Sequence, residues 1–235
     1  MDLNAILTGP SVEHVLGTDE LGRDLFSRLL YGGRFSLAIA LGAVMIALLV
    51  GIFLGTVAGY FGGLVDRFVS MITDLFLSVP AFLVLLLVCS LVADKVWLIP
   101  VVIGSMSWME VARIVRAEFL SLKEREFVDA ARSMGASDSV VMLKHILPLA
   151  MGPVIVSATA GFAQAMLVES ALSFLGFGVQ PPIPTWGNML RNAQTFLHSS
   201  PMVAFAPGFL IFITCLCVNF IGEGISKAFG TRGAR

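Results

Sequence analysis

Uncharged stretches long enough to cross a lipid bilayer constrain this chain more than any other feature. The stretch from Phe35 to Val65 contains no charged residue. A transmembrane helix needs about 20 mostly apolar residues to cross about 30 Å of hydrocarbon. Hydrophobic residues make up 57% of the sequence and charged residues 13%, so polar side chains could not cover a water-facing surface. With a mean hydropathy of +0.91, the sequence predicts an all-α integral membrane protein rather than a soluble helical protein.

About five membrane-spanning helices are predicted. Their approximate bounds are Leu37–Tyr60, Ser70–Val92, Val96–Ala117, Pro148–Val168 and Met202–Gly222. Asp94 and Lys95 mark a very short turn between the second and third spans. We therefore expect an N-terminal segment (1–34), a membrane domain (35–228) with long loops at 118–147 and 170–201, and a tail (229–235).

Lysine and arginine predict the orientation, because loops rich in them stay in the cytoplasm. If the loop 118–147 is cytoplasmic, the inner set has ten members: Arg67, Arg113, Arg116, Lys123, Arg125, Arg132, Lys144, Lys227, Arg232 and Arg235. The outer set then has five: Arg23, Arg28, Arg34, Lys95 and Arg191. An odd number of spans puts the termini on opposite sides. We expect the N-terminus and the loop 170–201 outside and the C-terminus in the cytoplasm.

The loop 118–147 has the pattern of a short amphipathic helix. Ser121 and Glu124 have the spacing of a capping box at a helix start. A set of apolar residues then recurs at helical spacing and predicts one apolar face: Phe127, Ala130, Ala131 and Met134. Gly135 suits the left-handed residue that ends a helix, and Ser137 can cap the next one. The pattern alone leaves two interpretations open, a helix lying on lipid headgroups and a docking surface for a cytosolic partner.

Several kinds of chemistry receive no support from the sequence. No phosphate-binding loop of the G-x-x-x-x-G-K-[ST] type occurs, so this chain should not bind ATP itself. A net charge of −1 gives no reason to expect a nucleic-acid partner. The cysteines and histidines are scattered, so we predict no metal site, no disulfide and no cofactor. No convergent nucleophile or base suggests an enzyme.

Three acidic or basic residues in the spans are candidates for a gate or a transport pathway. Glu110 and Arg113 are three residues apart and could pair on one helix face, which lowers the cost of charge at membrane depth. Glu169 ends the fourth span, where it could meet a solute or bond into the Ser170–Ser173 turn. For Glu110 and Arg113, a structural pair near the cytoplasmic end of the span is the favoured interpretation over a gate.

Three segments resemble the permeases of ABC importers, the inner-membrane components of binding-protein-dependent transport. Asp129-Ala130-Ala131, Gly135 and Leu147-Pro148 resemble the family's EAA loop, which has Glu-Ala-Ala, three residues, Gly, nine residues and Ile-x-Leu-Pro. Asp129 and His145 depart from that pattern. Two further segments are similar to the C-type permeases of dipeptide, oligopeptide and nickel importers: Gly17–Asp24, and Glu169–Gly178 continuing to Trp186-Gly187-Asn188.

The resemblance implies a fold, partners and site residues. The fold would be that of type I (MetI-like) ABC importer permeases, with an amphipathic cytoplasmic coupling helix in a bacterial inner-membrane protein. The partners would be cytosolic ABC ATPase subunits, a second permease subunit (expected to be a different chain), an extracytoplasmic solute-binding protein and membrane lipid. The coupling residues would be Glu126, Asp129, Ala130, Ala131, Gly135, Leu147 and Pro148.

The resemblance also implies a cargo and one missing element. Di- or oligopeptides are the expected cargo, with nickel or another small solute as the alternative, and a self-contained secondary transporter is a less favoured class. Permeases of this subfamily begin with a further spanning helix that residues 1–34 do not contain. We expect a start codon assigned too far downstream or a trimmed sequence rather than a dispensable helix.

Overall fold

A computed structural model describes residues 6–92 and 95–230 of the chain. The turn predicted at Asp94 and most of the tail 229–235 lie outside the described residues. The helices, in chain order, are α1 (Leu25–Phe61), α2 (Gly63–Ser78), α3 (Ala81–Val92), α4 (Ile99–Ser105), α5 (Trp108–Leu122), α6 (Glu126–Ser133), α7 (Asp138–Val140), α8 (Leu147–Leu175), α9 (Trp186–Ala193) and α10 (Met202–Gly230). The described residues contain no strand, and the prediction of an all-α fold is confirmed.

Among the described residues, three helical stretches are long and apolar enough to cross a bilayer: α1, the stretch Asp138–Leu175 that contains α8, and Met202–Lys227 within α10. The second and third predicted spans are instead pairs of helices, bent by 80° between α2 and α3 and by 41° between α4 and α5. The five predicted spans are obtained only when each bent pair counts as one. The sequence prediction gave each of these spans as one segment and did not include the bends.

The break between α2 and α3 has a local cause in the sequence. Pro80 has no N–H and disfavours helical geometry in the residue before it. Val79 accordingly has an extended backbone, with φ −93° and ψ 134°. The helix therefore ends at Ser78 and restarts at Ala81 in a new direction.

Glycines on α1 bring this helix close to α5. A Cβ atom on Gly51 would lie 2.6 Å from Val111, and one on Gly55 would lie 2.6 Å from the carbonyl oxygen of Ala112. At Gly59 the corresponding distance to Phe119 is 2.5 Å. These separations leave no room for any side chain, so the small-residue spacing of α1 serves helix packing within the chain.

The described chain divides into two compact units. Unit 1 comprises the residues up to Ala43, Phe82–Ile103 and Phe162–Cys217. Unit 2 comprises Val44–Ala81, Gly104–Gly161 and the residues from Val218 onward. Unit 2 contains an apolar core built by the end of α1, α5, α6 and the start of α8, with these buried members: Tyr60, Val111, Val115, Phe119, Val128, Ala131, Val141, Ile146, Ala150 and Val154.

Candidate functional site

The predicted loop helix exists, but it begins later than expected. α5 continues through Ser121 to Leu122, and α6 starts at Glu126 after Arg125, which has an extended backbone and makes no side-chain cap. The Ser121–Glu124 capping box was therefore wrong. The reason is that Phe119, in the last turns of α5, is fully buried in the core of unit 2 and keeps that helix intact.

The end of α6 follows the prediction. Gly135 has a φ of +83°, in the left-handed region that glycine tolerates. Its N–H donates to the carbonyl of Arg132 at 2.9 Å, and the N–H of Ala136 donates to the carbonyl of Ala131 at 3.1 Å. These two bonds form a Schellman motif. Ser137 then precedes α7 at the cap position as expected, although its side chain makes no cap hydrogen bond.

The apolar residues predicted to share one face of α6 are divided between the core and the surface. Val128 and Ala131 are buried, at 0% and 2% exposure, whereas Phe127 is 37% and Met134 is 81% exposed. Of the predicted apolar face, Ala131 packs into the core, whereas Phe127, Ala130 and Met134 are exposed. The branched side chain of Val128 packs into the core of unit 2. Because Val128 occupies the side of α6 that faces the core, the larger Phe127 and Met134 point outward.

We call the exposed side of α6 the outer face, which consists of Glu126, Phe127, Asp129, Ala130 and Met134, all exposed. It combines two carboxylates with two large apolar side chains. Large apolar groups that stay exposed next to charges are typical of surfaces that another protein covers.

Tyr60, at the end of α1, holds the loop in place. Its hydroxyl donates a hydrogen bond to Oδ1 of Asp138 at 2.5 Å, and the guanidinium of Arg132 lies 5.5 Å from the ring centre. The hydrogen-bonding contact with Tyr60 is the main reason that the pKa of Arg132 lies above its usual value. Sequence reasoning missed this contact because the hydrogen-bonded residues are 78 positions apart and no motif links them.

Leu147 and Pro148 lie where the loop enters α8. Residues Val141–Ile146 form a π-helical turn, and the N–H of Leu147 donates to the carbonyl of Met142, five residues back. Pro148 has no N–H to offer to the carbonyl of Lys144, so a regular α-helical bond is absent there. The wide turn lies at the predicted junction, and buried Ile146 fixes it to the core.

Arg113 pairs across helices rather than along its own. Its Nη2 atom donates to Oδ1 of Asp74 on α2 at 2.5 Å. The pairing of Arg113 with Glu110 was wrong, and Glu110 is an exposed residue in the first turn of α5. One turn further along α5, Arg116 donates to both carboxylate oxygens of Asp66, also on α2.

Glu169 is fully buried in unit 1, at 0% exposure. Ser173 donates to one carboxylate oxygen at 2.8 Å, and Ser36 on α1 donates to the other at 3.3 Å. Both hydroxyls are themselves acceptors, Ser36 from the N–H of Trp186 at 3.1 Å and Ser173 from the N–H of Val179 at 3.2 Å. The bond into the Ser170–Ser173 turn is therefore present, and Glu169 joins α1, α8 and the following loop.

Each of the two outer segments that carry the family resemblance is bonded to a residue that lies shortly after the other segment in sequence. The indole N–H of Trp186 donates to the carbonyl of Leu29 at 2.9 Å. From the segment 17–24, the carboxylate of Glu20 accepts a hydrogen bond from Asn192 at 3.0 Å. These bonds tie both segments into unit 1.

Charged residues also fold the segment 17–24 on itself. Asp19 is buried and lies 2.7 Å from Nε of Arg23 and 3.3 Å from Nε of Arg28. Burial alone would raise the pKa of Asp24, but hydrogen bonds from Ser27 and His14 outweigh it and hold that pKa below its usual value. The acidic residues of this segment therefore have structural partners within unit 1.

Comparison with known proteins adds independent information. The chain matches the family model described as "Binding-protein-dependent transport system inner membrane component" over residues 51–231. A dipeptide transport system permease protein of Alkalihalophilus pseudofirmus is 40% identical over 222 residues, covering 94% of this chain and 73% of that protein. An oligopeptide transport system permease protein of Haemophilus influenzae is 37% identical over 229 residues, covering 97% and 74%. A chain of an inward-facing methionine ABC transporter matches with a TM-score of 0.69 at 19% identity, covering 87% of this chain and 97% of that chain.

Proposed function

This chain belongs to the family of inner-membrane components of binding-protein-dependent transport systems, and from that premise we propose that it is one permease subunit of an ATP-driven importer of di- or oligopeptides. Two relatives that cover nearly all of this chain have names specifying dipeptide and oligopeptide transport. In this proposal ATP is hydrolysed by a separate subunit, and the chain itself forms half of the pathway across the membrane.

The outer face of α6 is the single observation that carries the proposal. The opposite side of this helix is anchored in the core through Val128 and Ala131, so the helix cannot turn its exposed apolar groups inward. Phe127 and Met134 remain exposed beside the carboxylates of Glu126 and Asp129. A cleft on an ATPase subunit with apolar walls and a basic rim would cover this face and satisfy both features.

Transmission to the membrane helices would use the contacts behind α6. Tyr60 bonds to Asp138 and packs with Val128 and Ala131, so a displacement of α6 pushes directly on the end of α1. Gly59 lies against Phe119, and α5 would have to move with α1 because no gap separates them. Closure of the ATPase subunits would in this way displace both α1 and α5, because closely packed atoms connect these helices to α6.

The remaining assignments follow from the orientation predicted by basic residues. The loop 118–147 would be cytoplasmic, the loop 170–201 periplasmic, and the C-terminus cytoplasmic. The outer side would receive peptide from a solute-binding protein, and a second permease subunit would complete the pathway. Arg113 is proposed to line that pathway and Glu110 to lie on an exposed face of α5, while Glu169 would hold the outer loop in place.

Reconstitution tests this function directly. The chain is co-expressed with its genomic neighbours, purified, and inserted into liposomes with the binding protein outside and ATP inside. Uptake of a labelled tripeptide that requires ATP supports the proposal. Uptake of Ni²⁺ without peptide uptake would assign the alternative cargo, and peptide uptake by the chain alone without ATP would overturn the proposal in favour of a secondary transporter.

A further inference from the structure

We propose that Asp74 and Arg113 bind the opposite charges of a zwitterionic peptide in a groove between α2 and α5. The inference rests on the proposed function and deepens it by naming the groups of the peptide that are recognised. The groove has a volume of about 440 Å³ and is lined by Asp74, Arg113 and Arg116 together with Ser70 and Thr73. Sites for small molecules have volumes of about 300–1,000 Å³, so the groove can hold a short peptide segment.

Because this ion pair is exposed, it must face water or another protein rather than lipid. The side chains of Arg113 and Asp74 are 55% and 67% exposed, although both lie on helices of the bent candidate spans. Charged groups within membrane helices face a water-filled cavity or another protein, because lipid cannot solvate them. The groove is therefore expected to open onto water or a partner subunit rather than onto acyl chains.

A second ion pair at the same groove is built differently. Arg116 donates to both oxygens of Asp66, from Nε and from Nη2, and the two side chains are 34% and 18% exposed. Two parallel bonds fix the geometry of such a pair. Arg113 and Asp74 share a single hydrogen bond and are more exposed, and exposed pairs of this kind contribute little to stability. The Asp66–Arg116 pair thus keeps the helices together while the Asp74–Arg113 pair can open.

A zwitterion can separate Asp74 from Arg113 and still give each of them a partner of opposite charge. The peptide ammonium would replace Arg113 beside Asp74, and the peptide carboxylate would replace Asp74 beside Arg113. A ligand with one charge would displace one member of the pair and leave that residue without an opposite charge beside it. The hydroxyl of buried Thr73 already donates to the carbonyl of Val69 at 2.8 Å. We therefore expect the floor of the groove to discriminate little between different peptide side chains.

A charge-swap variant distinguishes an Asp74–Arg113 pair that binds peptide from one that only stabilises the structure. The assembled importer is reconstituted with Asp74→Asn, Arg113→Gln, or the double change Asp74→Arg with Arg113→Asp. The control is Arg67→Gln, a change at an exposed residue of α2 that does not line the groove. We expect each single change to lower ATP-dependent uptake of a free tripeptide about tenfold. The swap keeps an ion pair with reversed direction, and we expect uptake to stay about tenfold low while the subunits still co-purify. Recovery to within about twofold in the swap would overturn the inference.

Thiol labelling measures occupancy of the groove without depending on uptake. Ser70→Cys is introduced after the native cysteines are replaced, and the complex is labelled with a maleimide in the absence of binding protein. A tripeptide with free termini should slow labelling at least about threefold, and an acetylated and amidated tripeptide should not. Equal labelling with both peptides would overturn the inference. If the wild-type complex fails to import any peptide with ATP, the proposed function itself fails, and that result is distinct from a loss confined to these variants.

Discussion

The hydroxyl of Tyr60 lies 2.5 Å from Oδ1 of Asp138, and this hydrogen bond connects the last turn of α1 to the first residue of α7. Tyr60 is only 7% exposed and belongs to the same apolar core as Val128 and Ala131. The connection therefore combines a directional hydrogen bond with close packing. It gives the loop one defined position relative to the end of α1 within unit 2.

Replacing Tyr60 by Phe should weaken this connection without emptying the core. The ring remains and the hydroxyl is lost, so we expect a cost of about 1 kcal/mol in stability. We also expect ATP hydrolysis to become less dependent on peptide, because the loop can move without α1. The ratio of stimulated to basal ATPase activity in the reconstituted complex measures this effect. Asp138→Asn keeps an acceptor oxygen and serves as the matched control, and an unchanged ratio in Tyr60→Phe would contradict the coupling role.

Gly135 should resist replacement by residues that avoid the left-handed region. Gly135→Val forces a β-branched residue to a φ of +83° and should destabilise the loop by about 1–2 kcal/mol. A Cβ atom there would meet nothing within 4 Å, so the cost is conformational and not steric. Gly135→Asn should be tolerated, because asparagine adopts this conformation more readily. Thermal unfolding of the purified complex distinguishes the two variants, and equal midpoints would refute the argument.

Gly55 should tolerate no side chain at all. A Cβ atom at this position would lie 2.6 Å from the carbonyl oxygen of Ala112, a backbone atom that cannot move aside. Gly55→Ala should therefore push α1 and α5 apart and cost about 1–3 kcal/mol. Gly224→Ala on α10 is the control, since nothing lies within 4 Å of its added methyl group. Yield of folded protein and the unfolding midpoint should fall only for Gly55→Ala.

Glu169 should matter for the order of the loop that follows α8. Glu169→Ala leaves the hydroxyls of Ser36 and Ser173 without their acceptor, at a cost of about 1–3 kcal/mol for each buried group. Glu169→Gln keeps one acceptor and should be milder. Protease cleavage within residues 176–185 should accelerate most in Glu169→Ala, and Glu223→Gln at an exposed position should leave it unchanged. Equal cleavage rates in all variants would show that the carboxylate does not hold this loop.

Local patterns in the sequence were enough to predict the helical class, the family resemblance and the turn at Gly135. The glycine turn was predictable because a positive φ depends on one residue and its neighbours. The family assignment from three short motifs is confirmed by matches that cover nearly the whole chain. The predicted roles of the loop residues stay predictions.

Features that depend on distant parts of the chain were not predictable from spacing. Both Phe127 and Val128 could have been buried, and the choice depends on Tyr60 and Val115, which lie far away in sequence. The capping box at Ser121 failed because tertiary packing of Phe119 extended α5 past it. Arg113 had a partner in reach at Glu110, yet the fold supplied Asp74 from another helix. In each case a contact between helices overrode a local pattern.

Residue exposure also changes which substitution tests the coupling surface. A bulky residue at Ala131 would damage the core of this chain, because Ala131 is 2% exposed. Ala130 lies on the outer face, where a larger side chain can be accommodated by the isolated subunit. A change at Ala130 is therefore expected to affect the proposed docking of an ATPase subunit rather than the fold.

The most direct test of the account is co-purification of an ATPase subunit with Ala130→Arg and the wild-type chain. We predict that the wild type retains a Walker-type ATPase through detergent extraction. Ala130→Arg should lose at least about nine-tenths of it, with the same unfolding midpoint, because the arginine cannot fit between two docked surfaces. Undiminished retention by Ala130→Arg would contradict the role given to the outer face of α6.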